Sequence, residues 1–76
     1  MKRYYFHYAD GKTILDELGT ELPDIHAVRL EALRTTREMM LKPGPRFWAG
    51  EPHRLWVTDA PNAAGRTILD LELSVR

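Results

Sequence analysis

The segment LPDIHAVRLEALRTTREMML, residues 22–41, decides the fold because it alone is long and periodic enough to predict a helix of several turns. Asp24 is a good N-cap, since its carboxylate accepts hydrogen bonds from the free N–H groups of the first turn. Pro43-Gly44-Pro45 ends the helix. Apolar or small residues recur at the spacing of one helix face. This stripe consists of Ile25, Val28, Ala32, Thr36 and Met39 or Met40, with Leu33 beside it.

Short strands are predicted on both sides of the helix. Residues 3–8 are rich in aromatic side chains, and Asp10-Gly11 is typical of the tight turn of a hairpin. The chain is expected to return as a strand from Lys12 to Asp16 or Glu17. Residues 43–52 read as a loop rich in proline and glycine. Residues 53–59 and 66–75 then alternate as two further strands, joined by a turn.

These elements predict one α+β domain over residues 1–76, in the order ββαββ. The expected architecture is a small, antiparallel-rich, four-stranded sheet with the helix packed on one face. The other face of the sheet, which we call the second face, is then uncovered. Tyr5, His7 and Trp56 are expected to lie there, and they form the predicted self-association surface.

Composition narrows the functional classes. The 11 basic and 11 acidic residues cancel, which argues against a general polyanion-binding protein. The absence of cysteine removes disulfides and thiolate metal sites. Charge is nevertheless uneven, with five acids and one base in residues 10–24 but six bases and three acids in residues 29–54. This asymmetry is compatible with a merely solvated surface, with a binding site for a partner, or with two copies that meet head to tail.

We find no secretory signal and no apolar run long enough to span a membrane, so the expected compartment is the cytoplasm. No nucleophile motif is present, and the single serine is Ser74. His7 is expected on a sheet face, with His26 and His53 exposed, and none has the spacing of a metal ligand. We therefore expect no catalytic residue, cofactor or metal.

An alternative interpretation is nucleic-acid binding. Arginines on the outer helix face suit phosphates, and exposed aromatic residues suit stacking on bases. The candidate contacts are Arg34, Arg37, Arg46 and Trp48, with the Arg46-Phe47-Trp48 loop as the stacking element.

Several motifs resemble a known family of short bacterial proteins, the domain-of-unknown-function family 6894. They are RYYFH and DG in the first hairpin, D-x-x-GTELPD from Asp16 to Asp24, EALR at residues 31–34, and VTD at residues 57–59. This chain departs from the family pattern by a longer turn at residues 60–64 and by its proline-rich loop. The resemblance implies no activity. The preferred hypothesis is therefore a non-enzymatic interaction or accessory module that associates with a protein, most simply as a homodimer.

Overall fold

The computed structural model describes residues 1–76 as an antiparallel five-stranded sheet with one long helix packed against it. The predicted α+β class is confirmed. The strands are β1 (Lys2–Ala9), β2 (Thr13–Ile14), β3 (Thr20–Leu22), β4 (His53–Thr58) and β5 (Thr67–Leu73). The helices are α1 (Ile25–Met39) and the short α2 (Gly44–Trp48), and a single 3-10 turn lies at Pro61–Ala63.

The sheet has one strand more than the four predicted. The expected return strand ends at Ile14, and the segment leading into the helix forms β3 instead. Both short strands pair with the same side of β1, β3 near its start and β2 near its end. The chain leaves the sheet between them because the Asp16 carboxylate accepts from the N–H groups of Leu18 and Gly19, which closes a turn.

Gly19 is required at this turn. Its φ of 72° lies in the left-handed region that glycine adopts without steric cost. A Cβ at this position would come within 2.8 Å of the Tyr5 ring. The return of the chain from the Asp16 turn into β3 therefore depends on this residue.

The sheet order places β1 and β4 in the centre. β4 pairs with β1 on one side and with β5 on the other. Because Phe6 lies opposite Val57 and His7 opposite Trp56, the predicted alternation of faces along both strands is confirmed. One edge of the sheet is formed by the short strands β2 and β3, whereas β5 forms the whole of the other edge.

The helix packs by the middle of the predicted stripe, whereas Ile25 at its start is exposed. Val28 and Ala32 are fully buried in one cluster with Leu55 and Val57 of β4. Leu33, expected beside the stripe, is instead 60% exposed, because it lies about 100° around the helix from Ala32. The core therefore joins the middle of α1 to the centre of the sheet.

The proline-rich segment was predicted to be a loop, and part of it is the helical turn α2. Proline is compatible with a first helical turn, whose N–H groups have no partner within the helix. Phe47 of α2 is buried against His53, with ring centroids 5.1 Å apart. This contact also corrects the expected exposure of His53, which is buried.

The cap of α1 yields the first prediction. Asp24 Oδ1 accepts from the Ala27 N–H at 2.9 Å, as the sequence indicated. Replacing Asp24 with Ala should lower the free energy of unfolding by about 1 kcal/mol, measured by urea denaturation. Asp24→Asn keeps an acceptor oxygen and should lose much less. Equal losses in the two variants would contradict the capping role.

Candidate interaction surfaces

The predicted self-association surface is not an exposed surface. Tyr5, His7 and Trp56 do lie on the second face, since their registered partners in neighbouring strands share that side. However, His7 has no exposed area and Trp56 is 7% exposed. The premise of exposure is therefore wrong for two of the three residues, because other segments of the chain cover them.

His7 is covered through a continuous chain of hydrogen bonds. The Asp16 N–H donates to His7 Nδ1 at 2.9 Å, so this nitrogen carries no proton. The proton of the neutral ring is then on Nε2, which lies 2.8 Å from Thr58 Oγ1 and donates to it. The Thr58 hydroxyl in turn donates to the Ala60 carbonyl. We call this set the His7 hydrogen-bond chain; it joins β1, the turn at Asp16 and the end of β4.

Burial lowers the pKa of His7 below its ordinary value, and the nearby Asp16 carboxylate offsets only part of this. The geometry agrees, since a protonated Nδ1 would face the Asp16 N–H donor. Burial alone would raise the pKa of Asp16. Hydrogen bonds from the N–H groups of Gly19, Phe6 and Leu18 outweigh that effect, so the pKa of Asp16 lies below its usual value.

The turn at residues 60–64 completes the cover. The Asn62 N–H donates to the Asp16 carbonyl at 3.1 Å, which links this turn to the segment that follows β2. Beside it, the Arg54 guanidinium lies over the Trp56 ring, 4.2 Å from its centroid. Arg54 also makes two hydrogen bonds to Asp70 of β5. The second face is thus occupied by this chain's own groups.

The three arginines predicted to contact nucleic acid differ in whether a carboxylate of this chain already pairs with them. Arg34 is bound by two carboxylates, those of Glu31 at 2.7 Å and Glu38 at 2.9 Å. Arg46 lies near Glu51, at 3.9 Å. Arg37 makes no ion pair of this kind. Arg34 is thus neutralised by two carboxylates within α1, whereas Arg29 and Arg37 are exposed cations of α1 without an ion pair.

The two aromatic residues of α2 also differ, in their exposure to solvent. Phe47 is buried, whereas Trp48 is 65% exposed and meets the Phe47 ring edge-on, with centroids 5.2 Å apart. Trp48 is therefore available for contact, and Phe47 belongs to the core.

Two uncovered apolar surfaces were not predicted. The first, which we call the groove, is a concave pocket of about 400 Å³ beside β2. Leu18 at its rim is 82% exposed although its N–H donates to Asp16 and its carbonyl accepts from Arg3. An apolar side chain is thus held towards solvent by hydrogen bonds on both sides. The groove is lined by Phe6, Tyr8, Ile14, Leu15, Asp16, Glu17 and Leu18.

The second surface is the outer stripe, which we define as Leu30, Leu33, Arg37 and Leu41. Its members are three and four residues apart, so they follow one side of α1 and the turn after it. All three leucines are exposed. Sequence periodicity offered a signal here, because Leu30 lies roughly opposite Val28 on a helix. The exposure of Leu18 carried no such signal, since a leucine within a polar turn forms no periodic pattern.

No group of three or more His, Asp or Glu side chains is arranged to hold a metal ion. Neither α1 nor α2 has the length and hydrophobicity that a membrane-spanning helix needs.

The fold is that of a small α+β domain in which one helix covers one face of an antiparallel sheet. Residues 3–74 match the domain of unknown function DUF6894, so the chain belongs to that family. Neither a curated protein nor a solved structure matches this chain.

The His7 hydrogen-bond chain predicts a loss of stability in mild acid. Because the pKa of His7 is below its ordinary value of 6.5 in the folded chain, the unfolded chain takes up a proton first as the pH falls. The free energy of unfolding should therefore decrease from about pH 7.5 to about pH 5, as measured by urea denaturation. A separate decrease should follow below about pH 3.8 as Asp16 is protonated.

Two variants serve as controls for this measurement. His26→Gln, at an exposed position, should keep the decrease between about pH 7.5 and about pH 5. His7→Gln should be less stable at neutral pH and should lack that decrease. A wild-type protein that is equally stable at both ends of this range would contradict the account of His7.

Proposed function

We propose that this chain is a non-enzymatic interaction module that self-associates, acting as an accessory protein of the cytoplasm. In this proposal the groove of one copy receives the outer stripe of a second copy. The carrying observation is that six of the ten exposed large apolar side chains belong to these two surfaces. Exposed apolar residues grouped in this way are typical of protein contacts.

The charges of the two surfaces are complementary. Glu17 lines the groove and makes no ion pair within the chain, and the Asp16 carboxylate is beside it. Arg37 lies in the outer stripe and is the unpaired cation there. No basic residue lines the groove. The uneven charge along the sequence, acidic before α1 and basic from α1 onward, thus supports contact between unlike surfaces of two copies.

The shapes of the two surfaces also support the proposal. A helix that presents apolar residues three and four apart is a recurrent ligand of apolar grooves. The backbone of Leu18 is held in place by hydrogen bonds at its N–H and its carbonyl, so little backbone entropy is lost when a partner covers the side chain. Because groove and stripe are different patches, a closed dimer requires that both groove–stripe contacts form at once.

A charge exchange tests this proposal. Glu17→Arg and Arg37→Glu each place like charges in the contact, so each variant should shift sedimentation equilibrium towards monomer. The double variant restores opposite charges and should recover association. The expected weakening in each single variant is about three- to tenfold in the dimer dissociation constant, most pronounced at low salt.

Val75→Gln removes an exposed apolar side chain outside both surfaces and should leave association unchanged. Leu18→Gln should weaken it without loss of stability, since the side chain makes few contacts of its own. A strict monomer at high micromolar concentration would refute self-association. A double variant that stays monomeric would refute the groove–stripe contact.

Nucleic-acid binding is the second candidate, and the exposure of Trp48 favours it. An indole in this position is able to stack on a base while Arg37 contacts a phosphate. Mixed RNA and DNA oligomers titrated at low salt should then quench the fluorescence of Trp48, and Trp48→Phe should remove that signal. Absence of binding at low salt would refute this role, because phosphate contacts are strongest there.

A further inference from the structure

The outer edge of β5 has no neighbour. β5 is seven residues long and pairs with β4 alone, whereas the opposite edge of the sheet consists of the two short strands β2 and β3. Neither proline nor lysine, the residues that commonly protect an edge strand, occurs within Thr67–Leu73. Its outward N–H and C=O groups are therefore open to another strand.

The two faces of β5 differ in chemistry. Leu69, Leu71 and Leu73 lie on the side of α1 and are only half-buried, so an added strand would cover more of them. Asp70 and Glu72 lie on the second face and are exposed. The Arg54 guanidinium opposite these two carboxylates binds Asp70, so one negative charge is left uncompensated at this edge.

A second copy is a poor partner for this edge. If two β5 strands paired antiparallel about their common midpoint, Asp70 would face Asp70 of the copy. Moving the midpoint to Leu71 would place Asp70 opposite Glu72. Like charges directly opposite each other destabilise a strand pair, so the edge selects against its own sequence.

We propose that the β5 edge binds an extended segment of a different protein, in which apolar residues alternate with lysine or arginine. The segment adds a sixth strand to the sheet. Its apolar side chains pack beside Leu69 and Leu71, and its cations face Asp70 and Glu72. Backbone hydrogen bonds supply the affinity, and the alternation supplies the specificity.

Three synthetic peptides test the proposal on the full chain. One alternates Val and Lys, one alternates Val and Glu, and one has the composition of the first with all Val residues before all Lys residues. Binding is measured by fluorescence anisotropy, and its location by amide hydrogen exchange within β5. The alternating Val/Lys peptide should bind about five- to tenfold more tightly than each of the others and should slow exchange in β5.

Charge reversal provides the matched control. Glu72→Lys should reverse the preference, so that the Val/Glu peptide binds better than the Val/Lys peptide. Asp10→Lys changes the net charge equally but lies in the exposed turn between β1 and β2, on the opposite side of the sheet from β5, and it should leave the preference unchanged. No binding of any peptide, equal binding of all three, or protection outside β5 would each overturn the proposal. If both substitutions changed the preference equally, peptide binding would depend on net charge alone, and the proposal would be overturned as well.

Discussion

The buried, neutral side chain of His7 is the constraint on which the second face of the sheet depends. Its ring accepts from the Asp16 backbone at one nitrogen and donates to Thr58 at the other. A neutral imidazole satisfies both requirements because it carries one donor and one acceptor. Removing the ring would leave the Asp16 N–H without its acceptor, at a cost of about 1–3 kcal/mol, whereas the Thr58 hydroxyl would keep its bond to the Ala60 carbonyl.

The same interaction shapes the groove. Asp16 contributes its N–H to His7 and its carboxylate to Phe6, Leu18 and Gly19, so one residue connects the buried ring to the groove wall. The rigidity of Leu18 follows from this arrangement. The surface that we propose for self-association therefore depends on the hydrogen bonds of Asp16, which are exposed at Leu18 and partly buried at His7 and Phe6.

The residues that carry the family resemblance have mainly structural roles. His7 and Asp16 form the hydrogen-bond chain, Gly19 allows the turn, and Asp24 caps α1. Thr58, from the VTD motif, accepts the hydrogen bond from His7 Nε2. The motif thus specifies a fold, whereas the proposed contacts use Glu17 and Leu18, which occupy the unspecified positions of the D-x-x-G motif. The longer turn at residues 60–64, a departure from the family pattern, supplies part of the cover over the second face.

Local patterns predicted much of this fold. The period of α1, the Asp24 cap and the alternation of β1 and β4 each depend on residues a few positions apart, and each is confirmed. The cover over His7 was not predicted, because its ring meets Thr58 across 51 residues of sequence. β3 was missed for a related reason, since three residues show no clear alternation and pair only because the Asp16 turn returns them to β1.

Exposure of the groove was equally beyond local patterns, whereas the helix period gave a signal for Leu30 but not for the rest of the outer stripe. Apolar residues such as Leu33 are normally assigned to a core, and only the position of the sheet determines which side of α1 is covered. Burial of Trp56 depends likewise on Arg54 and on the neighbouring strands.

Amide hydrogen exchange at Asp16 tests the central role of His7 most directly. Asp16 lies just after β2. An amide proton in a solvated turn at this place would exchange rapidly, through local opening that costs little free energy. We predict instead that its N–H exchanges only through global unfolding, at the rate of core amides such as that of Val57. We also predict that the nitrogen resonances of His7 report a neutral ring protonated at Nε2. Rapid exchange at Asp16, or a His7 ring protonated at Nδ1, would contradict the account.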